Sequence, residues 1–219
     1  MIVENLKQIR SEIAPEVKLV AVSKTRSVAE ISEAYQAGQR IFGENRVPEL
    51  TEKHPVLPDD IEWHFIGHLQ TNKVKYIAPF VSWIHSVDSL KLLQEINKRA
   101  AREKRVINCL IQFHIAAESA KYGFTDVPPE FLKSKEFESL NNIRLCGVMG
   151  MATFTDDANQ VRNEFRRLKS IFQEIKNDFF ADKPEFCEVS MGMSGDYKIA
   201  IEEGSTMVRI GSNIFGQRL

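Results

Sequence analysis

The sequence predicts a single (β/α)8 barrel preceded by one extra helix. Three observations predict it. Eight short apolar runs alternate with longer amphipathic segments. Several of those runs are apolar throughout, as expected of parallel strands covered on both faces. The length, 219 residues, suits one compact barrel. An open doubly wound sheet uses the same ingredients and is the structural alternative.

The elements follow in order. MIVENLKQIRSEIAP reads as a short helix carrying Glu4 and Glu12. It has neither the apolar centre of a signal peptide nor the acid-poor character of a transit peptide. VKLVAVS from Val17 is the first strand. Ser27 with Glu30 three residues on is a capping box, and Gly38 is placed to stop the helix it opens. RIFGEN from Arg40, EWHFIG from Glu62 and VSWIHSV from Val81 are strands two to four. Leu90, Leu93, Ile96 and Ala100 share one face of the next helix. VINCLIQFHI from Val106 is strand five, and Pro128–Pro129 reads as a helix start in the connection that follows. IRLCGVMG from Ile143 is strand six. Val161, Phe165, Leu168, Phe172 and Ile175 recur at helical spacing in the longest helix. FCEVSMG from Phe186 is strand seven. Ser194 to Glu203 is a helix closed by Gly204, and MVRIG from Met207 is strand eight. No linker, charge block or repeat divides residues 1–219, so one domain is expected.

Lys plus Arg is 29 and Asp plus Glu is 30. That balance argues against a nucleic-acid protein, which would carry a strongly basic surface. It leaves room for a small anion, since one phosphate needs only a few local donors. Cys109, Cys146 and Cys187 sit in apolar runs with no CxxC pair, and read as buried free thiols in a reducing compartment. No apolar run approaches the roughly 18 residues of a membrane span. A cytoplasmic protein with no membrane partner is expected.

Barrel active sites gather at the C-terminal strand ends, and a phosphate site commonly follows strands seven and eight. Strand one ends at Ser23–Lys24, strand two at Gly43-Glu44-Asn45, and strand three at Ile66-Gly67-His68. Strand seven ends in Ser190-Met191-Gly192-Met193-Ser194-Gly195-Asp196, and strand eight in Arg209-Ile210-Gly211-Ser212-Asn213. Barrel closure would bring Arg209 beside Lys24. Gly192, Gly195 and Gly211 let backbone N–H groups approach an anion. Ser194 starts the predicted helix, whose N-terminus attracts negative charge. Ser212 adds a hydroxyl. Lys24 could then serve as a Schiff-base amine, its neutral form favoured by burial and a nearby cation. Each feature also has a plain reading: a lysine after a strand is commonly a solvated boundary charge, and glycine and serine are commonly turn residues. His64 and His68, near Glu62, lie on a strand and its exit and lack the HExxH order, so they read as structural or site-lining. Met149, Met151, Met191 and Met193 read as core filling or as a soft wall at the site.

Taken together, AVSKT at 21–25, FGENRVPEL at 42–50, WHFIGHLQTNKVKYI at 63–77, GVMGMAT at 147–153, SMGMSGDY at 190–197 and VRIGSNIFG at 208–216 resemble the pyridoxal phosphate homeostasis proteins of the YggS/PROSC type. The resemblance runs over essentially the whole chain. It implies a barrel of the alanine-racemase type that binds pyridoxal 5′-phosphate (PLP) as a covalent aldimine at Lys24. By the same resemblance Ser194, Gly211 and Ser212 hold the phosphate, Arg209 faces the pyridine nitrogen, Asn45 lies near the cofactor, and Ser190 and Met193 line the site. The Ala116–Phe124 loop, with Lys121 and Tyr122, matches a mobile family loop placed to pass cofactor in or out.

A guanidinium only donates hydrogen bonds and stays charged, so Arg209 favours an unprotonated pyridine nitrogen and a weak electron sink. That fits a carrier that stores or delivers PLP, and equally a slow amino-acid racemase. The chain ends at Leu219 without the β-domain whose tyrosine serves a two-base racemase, which favours the carrier. Family members are implicated in keeping PLP available and amino-acid pools balanced, with apo-enzymes as candidate recipients. A non-enzymatic monomer is expected. A racemase would need a second base, with Tyr197 and His64 as candidates. A sugar-phosphate aldolase or isomerase using Lys24 without cofactor is a third reading.

Overall fold

The computed structural model describes residues 1–117, 122–125 and 127–217. Among these residues eight parallel strands close into a barrel in chain order. They are β1 (Lys18–Val22), β2 (Ile41–Glu44), β3 (Glu62–Phe65), β4 (Trp83–Val87), β5 (Ile107–Gln112), β6 (Ile143–Met149), β7 (Glu188–Met193) and β8 (Met207–Ile210). Closure is made by β1 and β8, in register from Lys18 opposite Met207 to Ala21 opposite Ile210. The open-sheet alternative is thereby set aside.

The helices are α1 (Ile2–Glu12), α2 (Val28–Gln36), α3 (Val47–Lys53), α4 (Val74–Ile77), α5 (Leu90–Arg102), α6 (Lys135–Glu138), α7 (Ala158–Phe179), α8 (Tyr197–Glu202) and α9 (Ser212–Phe215). The capping box of α2 forms as its sequence predicts. Ser27 Oγ accepts the Glu30 N–H at 3.3 Å, and the Glu30 carboxylate accepts the Ser27 N–H at 2.8 Å. The helix stops just before Gly38, whose φ of +90° suits a residue without Cβ. Val161, Phe165, Leu168, Phe172 and Ile175 are all buried along α7. On α5 the buried face is Leu92, Leu93, Ile96 and Ala100, with Leu90 at its margin. The Ser89 cap makes Leu90 the first helical residue, and this turns Leu92 inward. Pro129 opens a single 3₁₀ turn, Glu130–Lys133, before α6. The extra N-terminal helix is α1, tied to α9 by Asn5 Nδ2 donating to the Ile214 carbonyl at 2.9 Å.

Strand alternation splits the interior into two layers. Leu19, Ala21, Trp63, Phe65, Val189, Met191, Val208 and Ile210 face outward into the layer shared with the helices. Val20, Trp83, Leu110, Cys146, Met149 and Met207 pack inside the barrel. The same period places Lys18, Glu62, His64, His85, Glu188, Ser190 and Arg209 on the inner phase. The barrel interior therefore holds polar side chains beside a small apolar cluster, with Arg209 opposite Val20 and His64 opposite Trp83. Cys109 and Cys146 are buried as expected, but Cys187 is exposed. Its neighbour Phe186 takes the buried phase, leaving Cys187 on the open side just before β7. Among the described residues no helix is long and apolar enough to cross a membrane.

Candidate functional site

Lys24 sits in a turn directly after β1 and is half-buried. The turn is sharp: Thr25 has φ of +65°, and the Arg26 N–H donates to the Ser23 carbonyl at 3.0 Å. Beneath it lies a buried charge cluster. Ser23 Oγ donates to Glu44 Oε1 at 2.6 Å, and Lys53 Nζ donates to the Ser23 carbonyl at 2.8 Å. Lys53 also reaches Glu44 Oε1 at 2.7 Å and Glu49 Oε1 at 2.6 Å, and the Thr25 N–H donates to Glu49. All three donors of the ammonium are thus spent on holding β1, β2 and α3 together under Lys24. Burial raises the Glu44 carboxyl above its ordinary range, outweighing the opposing pull of Lys53 and Ser23. Glu44 Oε2 is buried and accepts no hydrogen bond.

Arg209 lies on β8 beside Val20 of β1 and Met193 of β7. It is only 4% exposed, so its charge has left water almost entirely. Nη1 donates to Ser190 Oγ at 2.6 Å, and Nη2 donates to the Gly150 carbonyl just past β6 at 3.0 Å. Burial pushes the guanidinium down to about 10, with Asp196 acting in the opposite direction. It therefore remains a cation at neutral pH.

The ends of β7 and β8 meet as the sequence predicts, with one correction. Ser194 does not begin a helix. Residues 194–196 form a turn in which Asp196 Oδ1 accepts the Met193 N–H at 2.5 Å, and α8 starts only at Tyr197. The Asp196 N–H donates to the Met193 carbonyl at 3.1 Å and Asp196 has φ of −137°, so residues 193–196 close as a turn outside helical geometry and the helix is delayed. Ser194 Oγ instead accepts the Gly211 N–H at 3.2 Å, and Asn213 Nδ2 donates to the Ser194 carbonyl at 2.9 Å. Ser194, Gly211 and Ser212 thus share one rim. Gly192, at φ +94°, is explained by packing: a Cβ there would lie 2.6 Å from Ala200 Cβ of α8. A Cβ on Gly195 would meet nothing within 4 Å, so the space above that turn is open.

Asn45 is half-buried at the exit of β2, and Met193 is exposed at the rim. Met149 and Met191 fill the core, whereas Met151 and Met193 are exposed. The two candidates for a second base lie elsewhere. The Tyr197 hydroxyl donates to Glu12 of α1, and burial with that carboxylate pushes the phenol up to about 12. His64 is fully buried inside the barrel, bonded to His85 and Glu62. His68 pairs with Asp88 at 3.2 Å and stacks on Tyr122 with ring centroids 3.7 Å apart, so it does not join His64. Among the described residues no cluster of His, Cys, Asp or Glu could hold a metal. Lys121 lies outside the described residues. Sequence reasoning missed Lys53, the Gly150 carbonyl and His85. The first reads as a solvated lysine on a short amphipathic helix, the second is a backbone atom, and the third hides in an apolar run.

Over residues 1–218 the chain matches the family model described as alanine racemase, N-terminal domain. It is 42% identical over 205 residues to the pyridoxal phosphate homeostasis protein of Aquifex aeolicus, covering 92% of this chain and 87% of that one. It is 36% identical over 231 residues to the protein of the same description from Escherichia coli, covering 99% and 97%. Among solved structures it resembles PipY of Synechococcus elongatus with PLP bound, at a TM-score of 0.87 and 34% identity, over 99% of this chain and 100% of that one. An alanine racemase from Clostridium difficile shares the fold at a TM-score of 0.71 and 16% identity, with 99% of this chain matched to 56% of that one. On this footing the chain belongs to the pyridoxal phosphate homeostasis protein family, whose barrel is the alanine racemase N-terminal domain.

Proposed function

We propose that this chain binds PLP at the barrel mouth and holds it for storage or delivery, as a carrier rather than an efficient enzyme. The observation that carries the reading is a buried arginine cation on β8 next to the strand that delivers Lys24, with the Ser194–Gly211 rim immediately beyond it. The donor set fits the group. Bound PLP supplies an aldehyde carbon that condenses reversibly with a lysine amine. Lys24 presents that amine on a turn braced by Lys53. Arg209 offers only donors, and so keeps a pyridine nitrogen facing it unprotonated. Ser194 and Ser212 offer hydroxyl donors to a phosphate above the open Gly195 turn, and the Gly211 N–H holds the Ser194 oxygen in place on that rim. Asn45 and Met193 stand at the mouth. Ser190 acts through Arg209, because its hydroxyl is taken by the guanidinium. The PLP-bound structure of PipY supports the reading.

The same reading takes residues 1–219 as one working domain, cytoplasmic and monomeric, with PLP-requiring apo-enzymes as its recipients. The test is an absorbance spectrum of the purified protein before and after borohydride reduction, with the modified peptide mapped. The visible band should vanish on reduction, and the label should fall on Lys24. A Lys24→Ala protein that keeps the same band would remove Lys24 from the role. A wild type that takes up no PLP would end the reading altogether.

Tyr197 bears on the racemase alternative. Its hydroxyl serves Glu12, so Tyr197→Phe should leave PLP binding unchanged. The loss should be about 1 kcal/mol of stability in urea. Sustained turnover of L-alanine by the wild type, read by chiral chromatography and abolished in Tyr197→Phe, would make Tyr197 a catalytic base and favour the racemase.

A further inference from the structure

Below Arg209 the barrel holds a continuous line of polar side chains. Ser190 Oγ, which accepts from Arg209, lies 3.1 Å from His85 Nδ1. His85 Nε2 lies 2.9 Å from His64 Nδ1, and His64 Nε2 lies 3.1 Å from Glu62 Oε1. Ser190, His85 and His64 are each 0% exposed. The line crosses the barrel, from β8 and β7 to β4 and β3, and comes out at the first residue of β3. Glu62 is at the opposite end of the barrel from Lys24, and its side chain is 42% exposed.

Proton positions in this line are set at its Glu62 end, and the Arg209 end matches them. Arg209 can only donate, so Ser190 Oγ must accept from it, which leaves the single hydroxyl hydrogen for His85 Nδ1. At the other end the Glu62 carboxyl is held below its usual range, chiefly by the His64 hydrogen bond, and so accepts. A neutral His64 must then carry its hydrogen on Nε2 and accept at Nδ1. His85 must donate from Nε2 and accept at Nδ1. The two ends agree on every hydrogen. Burial lowers both imidazoles, and Arg209 further disfavours a charged His85. The other charges nearby are Lys18 and Glu188 around His64, and Asp196 near Arg209. Trp83 stacks on His64 with centroids 5.4 Å apart and fixes its ring plane.

We propose that Ser190, His85, His64 and Glu62 are positioning residues for Arg209, forming a one-way hydrogen-bond relay that orients its guanidinium toward the pyridine nitrogen of bound PLP. The proposal rests on the PLP reading of the mouth. Reversing the line would make Ser190 Oγ accept from both neighbours and strand its own hydroxyl hydrogen, and breaking it would free the hydroxyl to rotate, so in either case the acceptor that Arg209 uses is less firmly held. Because the line runs from a cation to an anion, its hydrogen bonds polarise in the same sense and reinforce one another. Glu62 therefore acts on the mouth from the far end of the barrel without touching a ligand there.

The test uses protein labelled with ¹⁵N-histidine, as wild type, Glu62→Ala and Glu62→Gln. Ring nitrogens are read by NMR and PLP affinity by spectroscopic titration. In the wild type His64 and His85 should both be Nε2–H tautomers that do not titrate near neutrality. Glu62→Ala should give mixed tautomers and weaken PLP binding at least about threefold. Glu62→Gln keeps an acceptor and should restore both. Ser190→Ala, which breaks the line next to Arg209, should weaken binding about tenfold. An Nδ1–H tautomer at either histidine in the wild type overturns the relay. So does wild-type affinity in Glu62→Ala, or an equal loss in Glu62→Ala and Glu62→Gln. If the wild type binds no PLP, the reading of the mouth fails, and the tautomers alone decide the relay.

Discussion

Replacing Lys53 with methionine should remove about 3–5 kcal/mol of stability, because it leaves the Glu44 carboxylate buried without its cation. Lys53 and Glu44 side chains are only 8% and 0% exposed, so water cannot take the ammonium's place. The loss should depend on pH in a defined sense. The folded-state value of Glu44 is already raised by burial, and removing Lys53 raises it further. A raised carboxyl is more easily protonated in the fold than in the unfolded chain. Stability therefore falls as pH climbs past the unfolded value, about 4.3, and the loss is complete above the folded value. At lower pH the neutral acid no longer needs a cation, and the variant should recover. Urea unfolding at several pH values reads this directly. A loss under about 1 kcal/mol at neutral pH, or a deficit that grows on acidification, would show that the pair is not the brace described. PLP binding should weaken alongside, since the Ser23 carbonyl under the Lys24 turn loses one of its two donors, keeping only the Arg26 N–H.

The contrast between Lys24 and Lys53 shows what a sequence discloses. Lys24 was legible because it follows a strongly apolar strand and precedes a capped helix, both local signals. The place of Arg209 on the strand next to β1 was legible because closure of eight strands forces β8 against β1. Lys53 was not, because its burial depends on where α3 settles over β2, and VPELTEK carries nothing to separate it from a solvated face. The relay was hidden for a related reason. His64 and His85 sit on adjacent strands, but Ser190 comes from β7 on the far side of the barrel, and only closure brings them within hydrogen-bond reach. Ser194 failed as a helix start because Asp196 takes a non-helical φ of −137° and closes a turn onto the Met193 carbonyl. Cys187 failed because one position of alternation decides its face, and a run of mixed residues does not reveal its phase.

Gly67→Ala is the second large effect. A Cβ at Gly67 would lie 2.2 Å from the Asn45 carbonyl oxygen and 2.8 Å from the Asn45 carbonyl carbon and Cα. All three are backbone atoms, so no side-chain rotation relieves the clash. The contact comes one step past the last rungs of the β2–β3 ladder, where Glu44 is opposite Phe65 and the Ile66 N–H donates to the Glu44 carbonyl at 2.8 Å. Relief requires the two strand ends to part. We expect a loss of about 3 kcal/mol, at the upper end of the usual range for overpacking. The displaced residues are Asn45 at the mouth and Glu44 in the brace under Lys24, so PLP affinity should fall as well. The two variants then act on one structural unit, and their effects should not add. In the Lys53→Met, Gly67→Ala double variant the loss should be smaller than the two single losses together, because Glu44 has already lost its cation when β2 moves. Equal additive losses in urea would mean that Gly67 holds Asn45 independently of the Glu44–Lys53 pair, and that the mouth is braced at two separate points.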